Sequence, residues 1–202
     1  MRTMHERSTR SARPTRRAML LACAASVLAT ACVSGCQTMN GRAMRSVDHV
    51  DIERFMGPWY VIANIPTFIE RGAHNAIESY SRLPDGSIDT VFTFNDGAFD
   101  GPLKRYNPRG FVLDPVSNAI WGMRFIWPIK ADYRIIHLTP DYGVTVIGRE
   151  RRDYLWLMAR TPQISEAAYQ VALDVAAREG YDLSRVERVP QQTLAERVSR
   201  SR

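Results

Sequence analysis

The side chains able to do covalent or metal chemistry are few and unevenly placed. The three cysteines, Cys23, Cys32 and Cys36, all fall in the first 36 residues. A thiol there could act as a nucleophile, a metal ligand, half of a disulfide or an acceptor of lipid. A thiolate nucleophile needs a neighbouring base, and a zinc site needs Cys or His at closely repeated spacing. Beyond the first tract the histidines, His49, His74 and His137, are scattered. No Gly-x-Ser-x-Gly motif and no metal-spaced His/Cys/Asp cluster is present. Each histidine reads as a surface or strand residue, so the sequence predicts no catalytic residue, no cofactor and no metal, and a protein that is not an enzyme. Acceptance of lipid remains to be weighed for the cysteines.

The segment that carries them supports it. Met1 to Arg17 holds six arginines and one acid, and Ala18 to Val33 follows without a charge. That apolar run is shorter than the roughly 20 residues a spanning helix needs, so a cleaved signal fits better than an anchor helix or a buried core helix. It ends in Val33-Ser34-Gly35-Cys36, which is similar to the lipobox of bacterial lipoproteins. The similarity implies a diacylglyceryl thioether on Cys36, cleavage before it and acylation of the new N-terminus. Ala29-Thr30-Ala31-Cys32 is a poorer match because its first position is Ala. Gln37, rather than Asp, implies sorting to the outer membrane, and Thr15 to Leu20 faintly resembles a twin-arginine export signal. Cleavage would remove Cys23 and Cys32 and leave neither a free thiol nor a disulfide in an oxidising compartment. It would also bring the formal charge from +6 to about +1, so the basic pI does not indicate a nucleic-acid partner.

The elements that must position any site lie after residue 36. Residues 36–47 read as a flexible tether and 192–202 as a polar tail. Between them, short runs with turn signals predict strands near 58–66, 74–82, 87–94, 108–114, 119–127, 132–138, 143–149 and 154–160, with Leu83-Pro84-Asp85-Gly86 the clearest hairpin turn. Eight strands at this spacing suggest an antiparallel sandwich or barrel. A helix is predicted from an N-cap at Ser165 to a C′ glycine at Gly180, with Ala168, Val171, Ala172 and Val175 as its packing stripe. A last short strand is predicted at 181–186. The fifth strand alternates most regularly: Ala119, Trp121, Met123, Phe125 and Trp127 share one face. On periodicity alone that face suits either a filled core or a cavity wall, and an eight-stranded barrel is just wide enough for one small ligand.

The stretch VDIERFMGPWYVIANIP, Val50 to Pro66, resembles the opening signature of lipocalins, with Gly57-Pro58-Trp59 as its Gly-x-Trp and Tyr60 after it. Thr139-Pro140-Asp141-Tyr142 partly matches the family's Thr-Asp-Tyr turn, with an inserted proline, and Arg160 matches its last-strand arginine. With the run at 188–191, the resemblance covers residues 48–191 and points to the bacterial outer-membrane lipocalins of the Blc type. It implies an all-β fold, an eight-stranded antiparallel up-and-down barrel with a C-terminal α-helix packed outside. It also implies that Arg160 lies across the Trp59 ring at the barrel floor, so that Gly57, Trp59, Asp141, Tyr142 and Arg160 are structural. Tyr60 reads as an outward residue under the helix.

The implied function is carriage of an apolar or amphiphilic molecule, for this branch a fatty acid or lysophospholipid, by a protein anchored to the outer membrane and facing the periplasm. Lining candidates are Trp121, Met123, Phe125 and Trp127, with Val61, Ala63 and Ile65 following Trp59 on the first strand. On the second strand Ala76, Glu78 and Tyr80 share a face. If it points inward, a carboxylate enters the pocket and needs a partner such as Arg134 or Lys130; the alternative leaves Glu78 in solvent at the rim. The head group would stay at the open end. A homodimer is left open, as are a structural envelope lipoprotein with a filled barrel and a lipocalin-fold enzyme acting on a lipid or isoprenoid. The lipobox reading is checked by membrane fractionation: Cys36→Ser should release the protein and Cys32→Ser should not, and the reverse pattern overturns the assignment.

Overall fold

The computed structural model describes residues 42–126, 129–193, 195, 196 and 199. Cys36, the segment 1–35 and Trp127 lie outside the described residues. The chain enters through a single helical turn, α1 (Ile52–Phe55), capped by the Asp51 side chain, which accepts from the Arg54 N–H. It continues through β1 (Gly57–Ile65), β2 (Ala73–Arg82), β3 (Ile88–Asp96), β4 (Leu103–Tyr106), β5 (Arg109–Val112), β6 (Ile120–Ile126), β7 (Ile129–Leu138), β8 (Val144–Gly148) and β9 (Leu155–Ala159). The helix α2 (Glu166–Arg178) and the two-residue β10 (Glu187–Arg188) follow.

Each strand pairs antiparallel with its neighbour, and β9 returns to β1 over Tyr60 to Ile65, which closes the sheet into a barrel. Closure removes the exposed edges that an open sheet would present. The strands β4 and β5 pair with successive parts of β3 and form one interrupted stave, so the barrel has eight. β4 went unread in the sequence because its residues are largely exposed and show no alternation.

Three sequence-distant pieces meet at one end. The Arg160 guanidinium lies 3.8 Å from the Trp59 ring centroid. Its nitrogens donate to the carbonyls of Pro58 (2.9 Å), Arg54 (2.8 Å) and Phe55 (3.1 Å). The Trp59 indole N–H donates to the Phe55 carbonyl at 2.9 Å. One cation thus satisfies the orphan carbonyls at the end of α1 and stacks on the first strand. Gly57 suits this turn because its φ of +95° is one that residues with a side chain rarely adopt. From the other side the turn at 139–143 arrives: the Tyr142 hydroxyl accepts from the Asp51 N–H (2.9 Å), the Arg54 guanidinium covers the Tyr142 ring, and Asp141 accepts from the Gly143 N–H. The inserted Pro140 is accommodated, with Tyr142 taking the positive φ (61°) and the Pro140 carbonyl accepting from Arg54. This end of the barrel is closed.

Other expectations need correction. Residues 42–47 are not a free tether. Met44 is buried, its N–H donates to Glu150, and the Val47 N–H donates to Ile135. Gln192, expected to open the polar tail, is buried and exchanges two hydrogen bonds with Asn75. The predicted strand at 181–186 is a 3₁₀ turn at Leu183–Arg185, and strand pairing begins only at β10. The capping of α2 is as read, with Ser165 accepting from the Ala168 N–H and Gly180 at φ +87°. Its buried stripe is Tyr169, Ala172 and Ala176, rotated from the one expected, and Val171 is half exposed. The rotation brings Tyr169 onto the barrel, where the Arg188 guanidinium covers its ring.

Trp59→Ala should lower unfolding stability by about 3 to 5 kcal/mol, as a large core truncation does, and Arg160→Ala by less. A double-mutant cycle in urea should give a coupling of about 0.5 to 2 kcal/mol. Zero coupling would mean that the stack does not hold the floor.

Candidate functional site

Above the floor the barrel interior is filled with rings. Phe55 packs against Trp59, Tyr80 and Trp121 with centroids 4.9, 5.7 and 5.4 Å away. Trp121 stacks on Tyr133 at 5.2 Å and donates its indole N–H to the Asn118 carbonyl at 2.7 Å. Such pairs add about 0.5 to 1.5 kcal/mol beyond area burial. Over this layer opens a cavity of about 440 Å³. Its walls are Phe92, Tyr106, Met123, Ala131, Tyr133 and Trp156, and its rim includes the 67–70 loop, Phe125, Arg149 and Tyr154.

Of the residues expected to line a pocket, Met123, Phe125 and Glu78 border this cavity. Phe125 sits at the mouth, 54% exposed. Val61, Ala76, Tyr80 and Trp121 point inward but belong to the packed core, not to the cavity wall. Ala63 and Ile65 lie in the other apolar layer, beside Tyr169, Ala172 and Ala176 of α2. The reason is a bulge: the register against β9 slips between Val61 and Ala63, so the alternation reverses and Asn64, opposite Trp156, takes the inward position. Next to the bulge the Gln191 amide bridges the carbonyls of Val61 and Ala76, a place where β1 and β2 no longer pair.

Neither Arg134 nor Lys130 reaches Glu78. Arg134 pairs with Asp132 and Glu150 at 3.1 Å each, and the Lys130 ammonium lies over the Phe111 ring, both on the face opposite Tyr133. The partners of Glu78 are hydroxyls. The Tyr80 hydroxyl donates to one Glu78 carboxylate oxygen, and the Tyr80 and Tyr133 hydroxyls are 2.7 Å apart. Because Tyr80 has one proton and gives it to the carboxylate, Tyr133 must donate to Tyr80. Glu78 is half-buried and borders the cavity. Burial pushes its carboxyl up to about 7, against the lowering effect of the Tyr80 bond, and the nearby Glu70 adds to the rise. Burial and the carboxylate likewise raise both tyrosines well above the usual phenol range, so they stay neutral donors.

Glu70 was not singled out in the sequence. It is buried at the rim, where its two oxygens accept from the Thr67 N–H (2.8 Å) and the Trp156 indole (2.7 Å), which ties the loop across the barrel mouth to β9. Phe92 could have been found from the Ile88, Thr90, Phe92, Phe94 alternation on β3, whose members are all buried. The 67–70 loop has no periodic signal. Two buried polar atoms on lining residues, Thr67 Oγ1 and Arg149 Nε, make no hydrogen bond among the described residues. Among the described residues no group of His, Cys, Asp and Glu is placed to hold a metal.

A closed barrel with one plugged end, an apolar cavity at the other and an outer C-terminal helix defines a small-ligand-binding barrel. The chain belongs to the lipocalin family: the Lipocalin-like domain matches residues 50–191. It is 31% identical to temperature-induced lipocalin-1 of Arabidopsis thaliana, over 74% of this chain and 84% of that one. It is 30% identical to the outer membrane lipoprotein Blc of Escherichia coli K12, over 83% and 92% respectively. Among solved structures, insecticyanin of Manduca sexta superposes with a TM-score of 0.58 at 13% identity, covering 76% of this chain and 92% of its own. Lipocalins take up small hydrophobic ligands in this kind of barrel.

Protonation of Glu78 should be visible in stability. Its carboxyl is held near 7 in the folded protein against an ordinary 4.5, so the folded state binds the proton more tightly. Stability then falls as pH rises from about 4.5 to about 7, by on the order of 3 kcal/mol. Glu78→Gln keeps an acceptor for Tyr80 and removes the charge. Its melting temperature should exceed the wild type's at pH 8 by a margin that shrinks toward pH 5. A margin independent of pH would refute the assignment.

Proposed function

We propose that the protein is a lipid-anchored carrier in the outer membrane that binds a fatty acid, lysophospholipid or similar amphiphile in its barrel, with Cys36 as the acylated residue and the barrel facing the periplasm. The observation that carries the reading is the cavity of about 440 Å³ walled by Met123, Phe92, Tyr106 and Trp156. It falls within the range of about 300 to 1,000 Å³ of small-ligand pockets. Each methylene buried there contributes about 0.8 kcal/mol, offset by the ordering of the chain. A carrier tethered to a membrane also meets lipid at high effective concentration. The matching relatives described as outer membrane lipoproteins support the location. The packed Trp121 layer limits the depth available, so a ligand stops at Met123 and Tyr133 rather than reaching the floor. The cavity favours carriage over the filled-barrel alternative.

The test uses the full-length chain with Cys36→Ser, titrated with lysophospholipids and fatty acids. Trp156 borders the cavity, so its fluorescence should shift, and affinity should rise with chain length until the space is full. Met123→Trp should weaken binding by about tenfold through occupied volume. If no member of either series alters emission or melting temperature, the barrel is a structural element and the carrier reading fails.

A further inference from the structure

Carriage of an apolar tail leaves Glu78 unexplained. A carboxyl group placed on a cavity wall destabilises the empty protein unless something compensates it, and a plain hydrocarbon wall would bind tails better. The hydrogen bonds on Glu78 engage one oxygen, through Tyr80 backed by Tyr133. The rest of the carboxyl borders the cavity. The groups facing it are the Tyr80 hydroxyl on its own strand, Tyr133 on β7 and the Glu70 carboxylate in the loop after β1. Its cross-strand partners, Trp59 on β1 and Phe92 on β3, are uncharged. Of the cationic side chains nearby, Arg134 is committed to Asp132 and Glu150, while Arg149 at the rim pairs with Asp153 at 3.4 Å through a terminal nitrogen and keeps its Nε without a partner among the described residues. The inner cavity is therefore a low-dielectric space carrying negative charge with an open acceptor.

Resting on the carrier reading, we propose that Glu78 is a ligand-recognition residue that selects amphiphiles bearing a protonated amine, with the ammonium group seated inward on the Glu78 carboxylate and the chain directed to the mouth. This orientation places the polar end where the carboxylate is and the tail among Met123, Phe92 and the exposed rim rings Phe68 and Phe125. An ammonium donates three hydrogen bonds, and one of them fills the open acceptor while its charge restores ionisation of the carboxyl. An alkyl carboxylate cannot take this seat without being protonated, and an alcohol takes it only as a neutral donor. Charge-assisted bonds contribute roughly twice what neutral ones do. The charge on Glu78 develops around neutral pH, while an alkylamine is protonated throughout, so amine affinity must rise as pH goes from 5.5 to 8.

Dodecylamine, dodecanol and dodecanoate have equal chains and separate the head group from the tail. With the full-length chain carrying Cys36→Ser, calorimetric titration at pH 8 should show dodecylamine binding about tenfold tighter than dodecanol, and dodecanoate weaker than both. The amine's advantage should shrink toward pH 5.5, a readout that needs no substitution at the site. In the Glu78→Gln protein, amine and alcohol should bind within about threefold of each other at both pH values. If dodecanol and dodecanoate bind but the amine has no advantage, or its advantage survives in Glu78→Gln, the amine assignment is overturned and the carrier reading stands. If none of the three binds, both fall together.

Discussion

The contact between the Arg160 guanidinium and the Trp59 ring decides what kind of barrel this is. Strand pairing alone would close the sheet and leave two open ends. Arg160 comes from just beyond the last strand, and it covers the first strand's indole while its N–H groups take the carbonyls that α1 cannot satisfy internally. The Phe55 carbonyl is shared with the Trp59 indole N–H, so the cation and the ring it covers are tied to the same end of α1. With one end sealed in this way, a ligand can enter only from the other.

Everything above the floor follows from how high its aromatic layer reaches. Phe55, Trp59, Trp121, Tyr80 and Tyr133 are packed ring on ring, and the indole and phenol polar atoms all find partners within the same layer. The upper surface of that layer is consequently not apolar throughout. It presents Tyr133 and Glu78, joined through the Tyr80 hydroxyl behind them, to the cavity, so a protonatable group sits where a hydrocarbon wall would have sufficed. The carboxyl is compensated by hydroxyls instead of a cation, and burial outweighs them, so its proton is exchanged near neutrality.

Much of the fold was legible because its signals are local. Turn residues, period-two runs and the Ser165 and Gly180 caps each act over a few residues, and the eight staves and the outer helix followed from them. The site was less legible, and particular residues show why. Ala63 and Ile65 were read by continuing the parity of Trp59, but a single extra residue at the β1 bulge reverses which face follows. Trp121 was read as cavity wall because periodicity reports the face of a strand and not the height at which its side chain meets other rings. Glu70, Thr67 and Phe68 went unseen because a loop has no period.

What the amino-acid sequence determined by itself was the set of faces and ends: which runs are strands, where they turn, which residues are large and apolar on a common side, and that Gly57, Trp59 and Arg160 stand where a lipocalin floor requires them. The strands, turns and faces follow from steric and hydrophobic preferences acting along the chain, and the floor residues from the resemblance to lipocalins. Only the tertiary structure decided the environment of Glu78. In the sequence it is a charged residue on an alternating strand, equally suited to a rim in water. Its placement on the cavity wall, the absence of Arg134 and Lys130 from its side of the sheet and the delivery of Tyr133 from a strand more than 50 residues away depend on barrel closure and register. The reason is that the proton affinity of a carboxyl is set by what surrounds it in three dimensions, and desolvation has no counterpart in the order of residues along a chain.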